Sequence, residues 1–575
     1  MARGKEEESM EETSSGPPRA GDAPRSCPDS LAPVGRSRDR AMVAVVFLAI
    51  AVLYVASVPG VWFMKSDSAV YMTLARSLAR GEGYTFNHGP YGRYPPVFPA
   101  MLALVYGTLG ESIWAMQALV ALTGAGAMAV AFALIRERSG TRPALAIIIL
   151  AATCTWFWSY SSQHIVSEAP YTLFSLMALW LAERALRSPR SPALKWSLAV
   201  GVATVAIYTR MPGVALIPAL VAAALLARGQ HWARRQRLIA AGAAGIIGSL
   251  AALVWVVRAW AFGPGQTYTV MVLAARNRPL ADFVQRLQFR LSEWAATPLS
   301  WSYRETPWAA GLAILCALLL PGLVISLKRF RSAAEFYLAA YFILMVLLGG
   351  NTSHERYVVP VVPLLLYYGY LSLSALSAWL SEKLGKGRDS ALGRRLLWAV
   401  RHLAVIAGVA LLCFAVRERV KHNRGAKRFS PRRRLDARRR VLAWRRASAW
   451  ADRYIPEDAT VYGPWSRTYY FTERHSRNPA KVNDTRLELA HVLTCGARFA
   501  LVEPHDVSRL FIKPVISRFP QCFTPVCAAR KMVLYRIERE RIRETLTRLG
   551  VDVAGGARKE YKGGAEDHDR AGGDG

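Results

Sequence analysis

The residues of this 575-residue chain best suited to chemistry fall in four short segments. The first, KSDSAVYMTLARSLARGEGYTFNHGPYGRYPPVFPAMLAL from Lys65 to Leu104, places Asp67 just past an apolar run. Tyr71 follows four residues later, so the two side chains share one face of a helix. A carboxylate in the company of Lys65, Glu82, His88 and Arg93 can act as a general base. The plainer alternative is that Asp67 only favours the positive N-terminal end of its helix. The second segment, SSQHIVSEAPYTLF, sets Glu168, with His164, at the start of an apolar helix, where a charge is costly to bury. Its alternative is a helix-end charge exposed to water.

The third segment, IYTRMPGVALIP, strands Arg210 between two apolar runs, a cation suited to a phosphate or to lipid head groups. The fourth, NTSHERYVVPVVPLLLYYG, aligns His354, Glu355 and Arg356 at the start of another apolar run. Asn351-Thr352-Ser353 fits the N-glycosylation pattern, but it abuts that run and carries little weight. Walker-type phosphate loops, nucleophile elbows and HExxH sequences are absent. So is any obvious ligand cluster for a divalent cation.

The elements that must hold these residues are membrane spans. Hydrophobic residues make up 53 % of the chain and charged ones 20 %, and the charges are unevenly spread. Ala41 to Phe63 is 23 residues without a charged side chain, enough to cross a hydrocarbon core of about 30 Å as a helix. Comparable runs predict about eleven spans, near 41–63, 113–135, 143–160, 165–183, 195–209, 212–227, 238–260, 308–327, 333–349, 357–378 and 396–416. With a cytoplasmic N-terminus, the short inside loops hold 19 Arg and Lys, among them Arg136, Arg138 and Arg142, and the short outside loops hold 2. That asymmetry is what the positive-inside rule requires. It places 64–112, 261–307 and the four candidate segments on the extracytoplasmic face of a cell (inner) membrane protein. The formal net charge of +34 thus serves topology, and no nucleic-acid-binding motif accompanies it. Abundant Tyr and Trp near span ends read as an aromatic belt.

Local signals predict a helix from Ser66, as its cap, to Arg80, with Gly81 as the stop. Pro96–Leu109 is apolar but short, and lies along the membrane. Ala281–Trp294, with Phe283, Leu287 and Leu291 at helical spacing, reads as an amphipathic helix resting on the surface. The expected organisation is a disordered cytoplasmic arm (1–40), a membrane domain (41–416), a basic linker (417–446), a small extracytoplasmic α/β domain (447–540) and a tail (541–575). The linker holds 14 Arg or Lys and two acids, and by charge alone prefers the cytoplasm. An odd span count puts it outside, against anionic head groups. In the tail domain, two of Cys495, Cys522 and Cys527 could pair if the compartment is oxidising.

Asp67-x-x-x-Tyr71, then GEGY and YPPVFPAML, resembles the first outer loop of GT-C type polyprenyl-phosphate-dependent glycosyltransferases. Among these, it is most similar to bacterial relatives of protein O-mannosyltransferases and aminoarabinose transferases. YTRMPGVALIP, ERYVVPVVPLLL, IPEDATVYG and FALVE extend the likeness over roughly 41–540. The resemblance implies a membrane enzyme that moves a sugar from a polyprenyl-phosphate donor to a lipid, glycan or protein acceptor by one inverting displacement. Asp67 would be its base, Tyr71 a companion, Glu168 a second acid, and Arg210 and Arg356 the phosphate's partners, with a divalent cation as an optional aid. Where protein mannosyltransferases have an acidic pair, this chain has Asp67-Ser68, which weakens the case for a protein acceptor. A transporter or flippase of lipid-linked sugars, or a non-catalytic receptor or assembly factor, are the alternative classes. The absence of a clear internal repeat and the clustering of ionisable residues in outer loops count against a transporter.

Overall fold

A computed structural model describes residues 37–228, 231–262, 280–299, 313–348, 355–385, 417, 431–482, 484–503, 507–529 and 532–551. The span expected at 396–416, most of the arm, the tail end and His354 lie outside them. The chain divides after Val46, and the described part of the first unit is the start of helix α1 (Ser37–Ala56). Everything that follows belongs to the second unit, Phe47–Gly575.

After α1 come α2 (Ser66–Ala79), the hairpin β1 (Thr85–Phe86) and β2 (Gly89–Pro90), and α3 (Val97–Leu109). The bundle continues with α4 (Ile113–Ser139), α5 (Thr141–Ala152), α6 (Thr155–Ser162), α7 (Glu168–Arg187), α8 (Pro192–Thr209), α9 (Leu216–Leu226) and α10 (Arg234–Phe262). It ends with α11 (Leu280–Ala296), α12 (Leu320–Arg329), α13 (Ala333–Leu348) and α14 (Val362–Gly385). Each of the first ten expected spans contains helix among the described residues, although α1 ends at Ala56, short of the expected 63. Among the described residues, four stretches are long and apolar enough to cross a membrane: Ile113–Ser139, Pro192–Thr209, Arg234–Phe262 and Glu355–Trp379. Helices α5 and α6, bent by 66° at their junction, would make a fifth. Exposed Leu250, Leu253, Val254 and Val257 on α10 present the apolar outer surface that lipid requires. The protein is an integral membrane protein with several apolar spans. Gly322 of α12 sets the approach to α14: a Cβ there would collide with the Tyr368 carbonyl oxygen.

A buried polar cluster closes one end of the bundle. Arg138, in the last turn of α4, bonds both carboxylate oxygens of Glu183 and lies 2.7 Å from Glu335 Oε1. Ser326 Oγ and the Ser332 amide also donate to Glu335, at 2.6 and 2.8 Å. The expectation that Arg138 sits in an inside loop is therefore corrected. Helix α4 runs on to Ser139, and two carboxylates satisfy the guanidinium inside the protein. Helix α7 links this end to the other, because Glu183 lies fifteen residues, or about 22 Å of helix rise, from Glu168.

The C-terminal part begins with α15 (Pro431–Tyr454), which runs through the expected boundary at 446. Its five-stranded sheet has the order β4-β3-β5-β7-β6, built from β3 (Val461–Tyr462), β4 (Ser476–Arg477), β5 (Phe499–Val502), β6 (Phe523–Ala529) and β7 (Met532–Ile537). Strand β3 is parallel to β4 and β5, whereas β7 is antiparallel to β5 and β6. Helix α16 (Trp465–Thr472) follows β3, and α17 (Thr485–Thr494), α18 (Lys513–Arg518) and α19 (Arg539–Arg548) complete the domain. Alternation along the strands separates two cores. Val461, Phe499 and Leu501 face one that holds α15 and α16, and Tyr462, Ala500 and Val502 face one that holds α17 to α19. The first core is continuous with the loop that carries Asp67: Trp444 and Phe471 join Trp62, Tyr71, Phe86 and Phe98. Cys495, Cys522 and Cys527 are free thiols.

Candidate functional site

At the end of the bundle opposite Arg138, four candidate residues from distant segments meet as one ion cluster. Asp67 sits in the first turn of α2, whose N-cap is Lys65 in extended conformation without a side-chain cap. The expectation that Ser66 caps this helix is thus corrected, since Ser66 is already its first helical residue. Gly81, at φ +76°, ends the helix region as expected. Glu168 is the first residue of α7 and is fully buried. Arg210 follows α8, where the helix breaks and a short 3₁₀ turn, Met211–Ala215, reverses the chain. Gly213 permits that reversal, because a Cβ would come within 2.7 Å of the Ile207 backbone nitrogen. Arg356 lies in a 3₁₀ turn, Glu355–Tyr357, ahead of α14.

Arg356 bridges the two carboxylates, with Nη2 2.7 Å from Asp67 Oδ2 and Nε 2.8 Å from Glu168 Oε1. Arg210 Nη1 lies 2.7 Å from the same Glu168 oxygen. The contacts at Glu168 are close charge contacts whose angles fall short of aligned hydrogen bonds. Tyr94 donates to Asp67 Oδ1 at 2.8 Å, and Tyr71 and Ser167 hydroxyls pair at 3.1 Å. The Tyr357 ring organises the cations: Arg210, Arg356 and Arg290 lie 4.9, 5.6 and 5.9 Å from its centroid.

Exposure divides the two acids. The Asp67 and Arg356 side chains keep 18 % and 16 % of their surface open, whereas Glu168 keeps none. Solvent can therefore reach Asp67, while Glu168 holds the guanidinium groups from behind. Burial pushes the Asp67 carboxyl up, but Arg356, Tyr94 and Arg93 more than reverse this and hold it well below the usual carboxylate range. Burial, with Asp67 and Glu168 nearby, pushes the Tyr71 phenol up, so it stays a neutral donor.

The other candidates divide. Arg93 lies 5.6 Å from the Tyr94 ring, Lys65 lies 4.7 Å from that of Tyr160, and His164 is buried beside Phe63 and Tyr160. Glu355 is buried close enough to raise the pKa of Glu293. Glu82 and His88 do not join Asp67. Glu82 lies 3.8 Å from Arg80 on the surface. His88 occupies the left-handed turn of the hairpin, its Nε2 2.8 Å from the Glu473 carbonyl oxygen. The hairpin directs that side chain towards the C-terminal domain, where Asn87 also accepts from the Ser476 amide at 2.7 Å.

Tyr94, Tyr357, Arg290 and Glu293 were not singled out in the sequence, although Tyr94 lies inside the YPP motif. Helix α11 turns its apolar stripe outward, as an amphipathic helix lying against a membrane does. Phe283 and Val284 are exposed, while Arg286, Arg290 and Glu293 are buried. Beside lipid the apolar face looks out and the ionisable face looks in. Burial raises Glu293 to about 7 against the 2.7 Å contact with Arg290. Among the described residues, no group of three or more His, Cys, Asp and Glu is arranged to hold a metal ion. The two acids of the cluster are each engaged by guanidinium. A cavity of about 480 Å³ beside Arg498, Arg536 and Arg541 lies in the C-terminal domain and shares no residue with the cluster.

The sequence matches the model of the dolichyl-phosphate-mannose-protein mannosyltransferase family over residues 93–255, a segment that includes Glu168 and Arg210. In structure the chain resembles ArnT from Cupriavidus metallidurans bound to undecaprenyl phosphate, with a TM-score of 0.54 and 15 % identity over 86 % of this chain and 98 % of that one. The fold is that of the GT-C glycosyltransferases. The apo state of ArnT gives a TM-score of 0.54 and 16 % identity, covering 87 % of this chain and 99 % of that one. The Archaeoglobus fulgidus oligosaccharyltransferase tethered to an acceptor peptide gives 0.50 and 13 % identity, covering 81 % and 69 %. No curated protein matches this sequence significantly. On the GT-C fold, the cluster occupies the junction between the loop after the first helix and the ends of α7 and α8.

Proposed function

We propose that this GT-C protein transfers a sugar from a polyprenyl-phosphate donor to a lipid, glycan or protein acceptor, with Asp67 as base and Arg356 and Arg210 at the donor phosphate. The observation that carries the reading is the shared, partly open mouth of Asp67 and Arg356, backed by the sealed Glu168–Arg210 pair. The acceptor heteroatom attacks the anomeric carbon as the bond from that carbon to the phosphate oxygen breaks. The electron pair of that bond leaves on the phosphate, and Asp67 takes the acceptor's proton. A phosphate needs no protonation to leave, so one carboxylate suffices. The arginines meet its growing charge with charge-assisted hydrogen bonds. A donor phosphate also competes for Arg356. As the guanidinium turns to it, Asp67 loses its main neutralising partner and becomes a stronger base.

The reading places the cluster on the extracytoplasmic side of an eleven-span bundle, in accord with the 19-to-2 charge asymmetry. Its test is the purified chain supplied with a polyprenyl-phosphate sugar and candidate acceptors. Acceptor-dependent release of polyprenyl phosphate, with inversion at the anomeric carbon by NMR, is expected. Translocation of the donor across liposomes without a new glycosidic bond would favour the flippase reading.

The pH dependence follows from the ion pair. The folded pKa of Asp67 lies below its unfolded value of about 3.9. Its contribution to stability is therefore complete above about pH 4 and is lost as pH falls through the lower folded value. The kcat/KM profile should show no Asp67 ionisation between about pH 5 and 8. Arg356→Gln removes the main lowering partner and leaves burial, so the acidic limb moves to higher pH. An acidic limb unmoved by Arg356→Gln counts against the pair.

A further inference from the structure

Helix α15 is the most basic element described, and its two sides differ in kind. Ala437, Trp444, Ala447 and Ala451 point into the core shared with the Asp67 loop, and Trp444 stacks on Phe471 at 5.4 Å. The opposite side, at helical spacing, shows Leu435, Arg438, Arg439, Leu442, Arg445 and Arg446, all exposed. The two leucines are 48 % and 52 % exposed, although polar surface would be expected around four arginines. Asp436 is the one acid on this stretch and reaches Arg439 only at 3.8 Å, with both side chains more than half exposed. Such a pair neutralises little.

The helix also has a defined place. Arg433, near its start, lies 5.4 Å from the ring of Phe63, which closes the first apolar run where the chain leaves for the Asp67 loop. The start of the basic helix therefore lies where the first apolar run ends, on the same end of the bundle as Asp67. A helix with arginines and leucines on one face, held there, has the composition of an interfacial helix.

We infer that the exposed face of α15 docks on the anionic phospholipid head groups of the surrounding bilayer, with Leu435 and Leu442 entering the acyl boundary. Arg438, Arg439, Arg445 and Arg446 contact lipid phosphates, each strengthening binding by about fivefold at low salt. The charge of this segment then reflects its membrane contact on the side of Asp67, and the conflict with the charge rule disappears. This inference does not depend on the reaction carried out at Asp67.

The test uses the full chain reconstituted in bilayers of phosphatidylcholine with one quarter phosphatidylglycerol. The lipid that stays with the protein on mild extraction is counted by mass spectrometry. The unaltered chain should retain phosphatidylglycerol several-fold above its bulk share, and about 0.5 M salt should abolish most of the excess. The variant R438E/R439E/R445E/R446E should retain only the bulk share, with an unchanged melting temperature because all four side chains are exposed. If that variant fails to fold, the pairs R438E/R439E and R445E/R446E and the salt titration of the unaltered chain decide the matter. Retention that neither salt nor charge reversal changes overturns the inference. So does a face that captures an acidic polysaccharide while phosphatidylglycerol retention stays the same in the variant.

Discussion

Asp67→Asn should lower sugar transfer by a factor of about 10²–10⁴, the usual contribution of a positioned acid–base group. The substitution keeps the shape of the side chain and leaves an oxygen to accept from Tyr94, which now donates at 2.8 Å. Arg356 would still have Glu168 within 2.8 Å, and the positive charge no longer balanced by Asp67 lies at the partly open side of the cluster, where Arg356 keeps 16 % of its surface exposed. The melting temperature should accordingly move by only a few degrees. What is lost is the capacity to take a proton, since an amide cannot act as a base at neutral pH. Transfer rate and melting temperature, measured on one preparation, check both halves. Near-normal transfer would remove Asp67 from the base role.

Glu168→Gln should behave differently. Glu168 is fully buried and is the ion partner of Arg210, whose side chain is itself 5 % exposed. Neutralising it leaves Arg210 charged and desolvated, a change that costs about 3–5 kcal/mol in comparable buried pairs. Loss of thermal stability should therefore accompany loss of activity, in contrast to Asp67→Asn. A second change, Arg210→Met, removes the stranded charge and should recover much of the stability of Glu168→Gln but none of the activity. Thermal melts of the two single variants and the double variant make this a coupling measurement. Additive effects would mean that the pair is not an energetic unit.

The residues of the cluster were legible one at a time. Asp67 stood out beside a capping pattern and a glycine stop, and Glu168, Arg210 and Arg356 stood out as charges against apolar runs. Their pairing was not legible, because it arises where the ends of α2, α7 and α8 meet a 3₁₀ turn far along the chain. Local spacing misled at Arg138. Arg138 looked like a loop charge because nothing nearby shows that Glu183 and Glu335 will surround it. The apolar stripe of α11 was legible, but not that its ionisable face, with Arg290 and Glu293, would be buried in the protein. In the C-terminal domain, the apolar runs Phe499–Val502 and Met532–Ile537 read as strands from the sequence, and the structure forms both. Strand β6 was missed: it carries Pro525, which disfavours a strand reading, and the structure accommodates this with an irregular register between Pro525 and Cys527. Strand β4, two residues long, has no periodicity to read.

The central claim, transfer of a sugar from lipid phosphate at the Asp67–Arg356 mouth, is tested most directly by donor turnover. The purified chain and its Asp67→Asn variant would each be given a radiolabelled polyprenyl-phosphate sugar with membrane and envelope acceptors. The products would be resolved by chromatography. The account predicts free polyprenyl phosphate and a labelled acceptor in equal amounts from the unaltered chain, and neither above background from the variant. Equal donor consumption by both proteins, or donor movement with no glycosidic product from either, would contradict it.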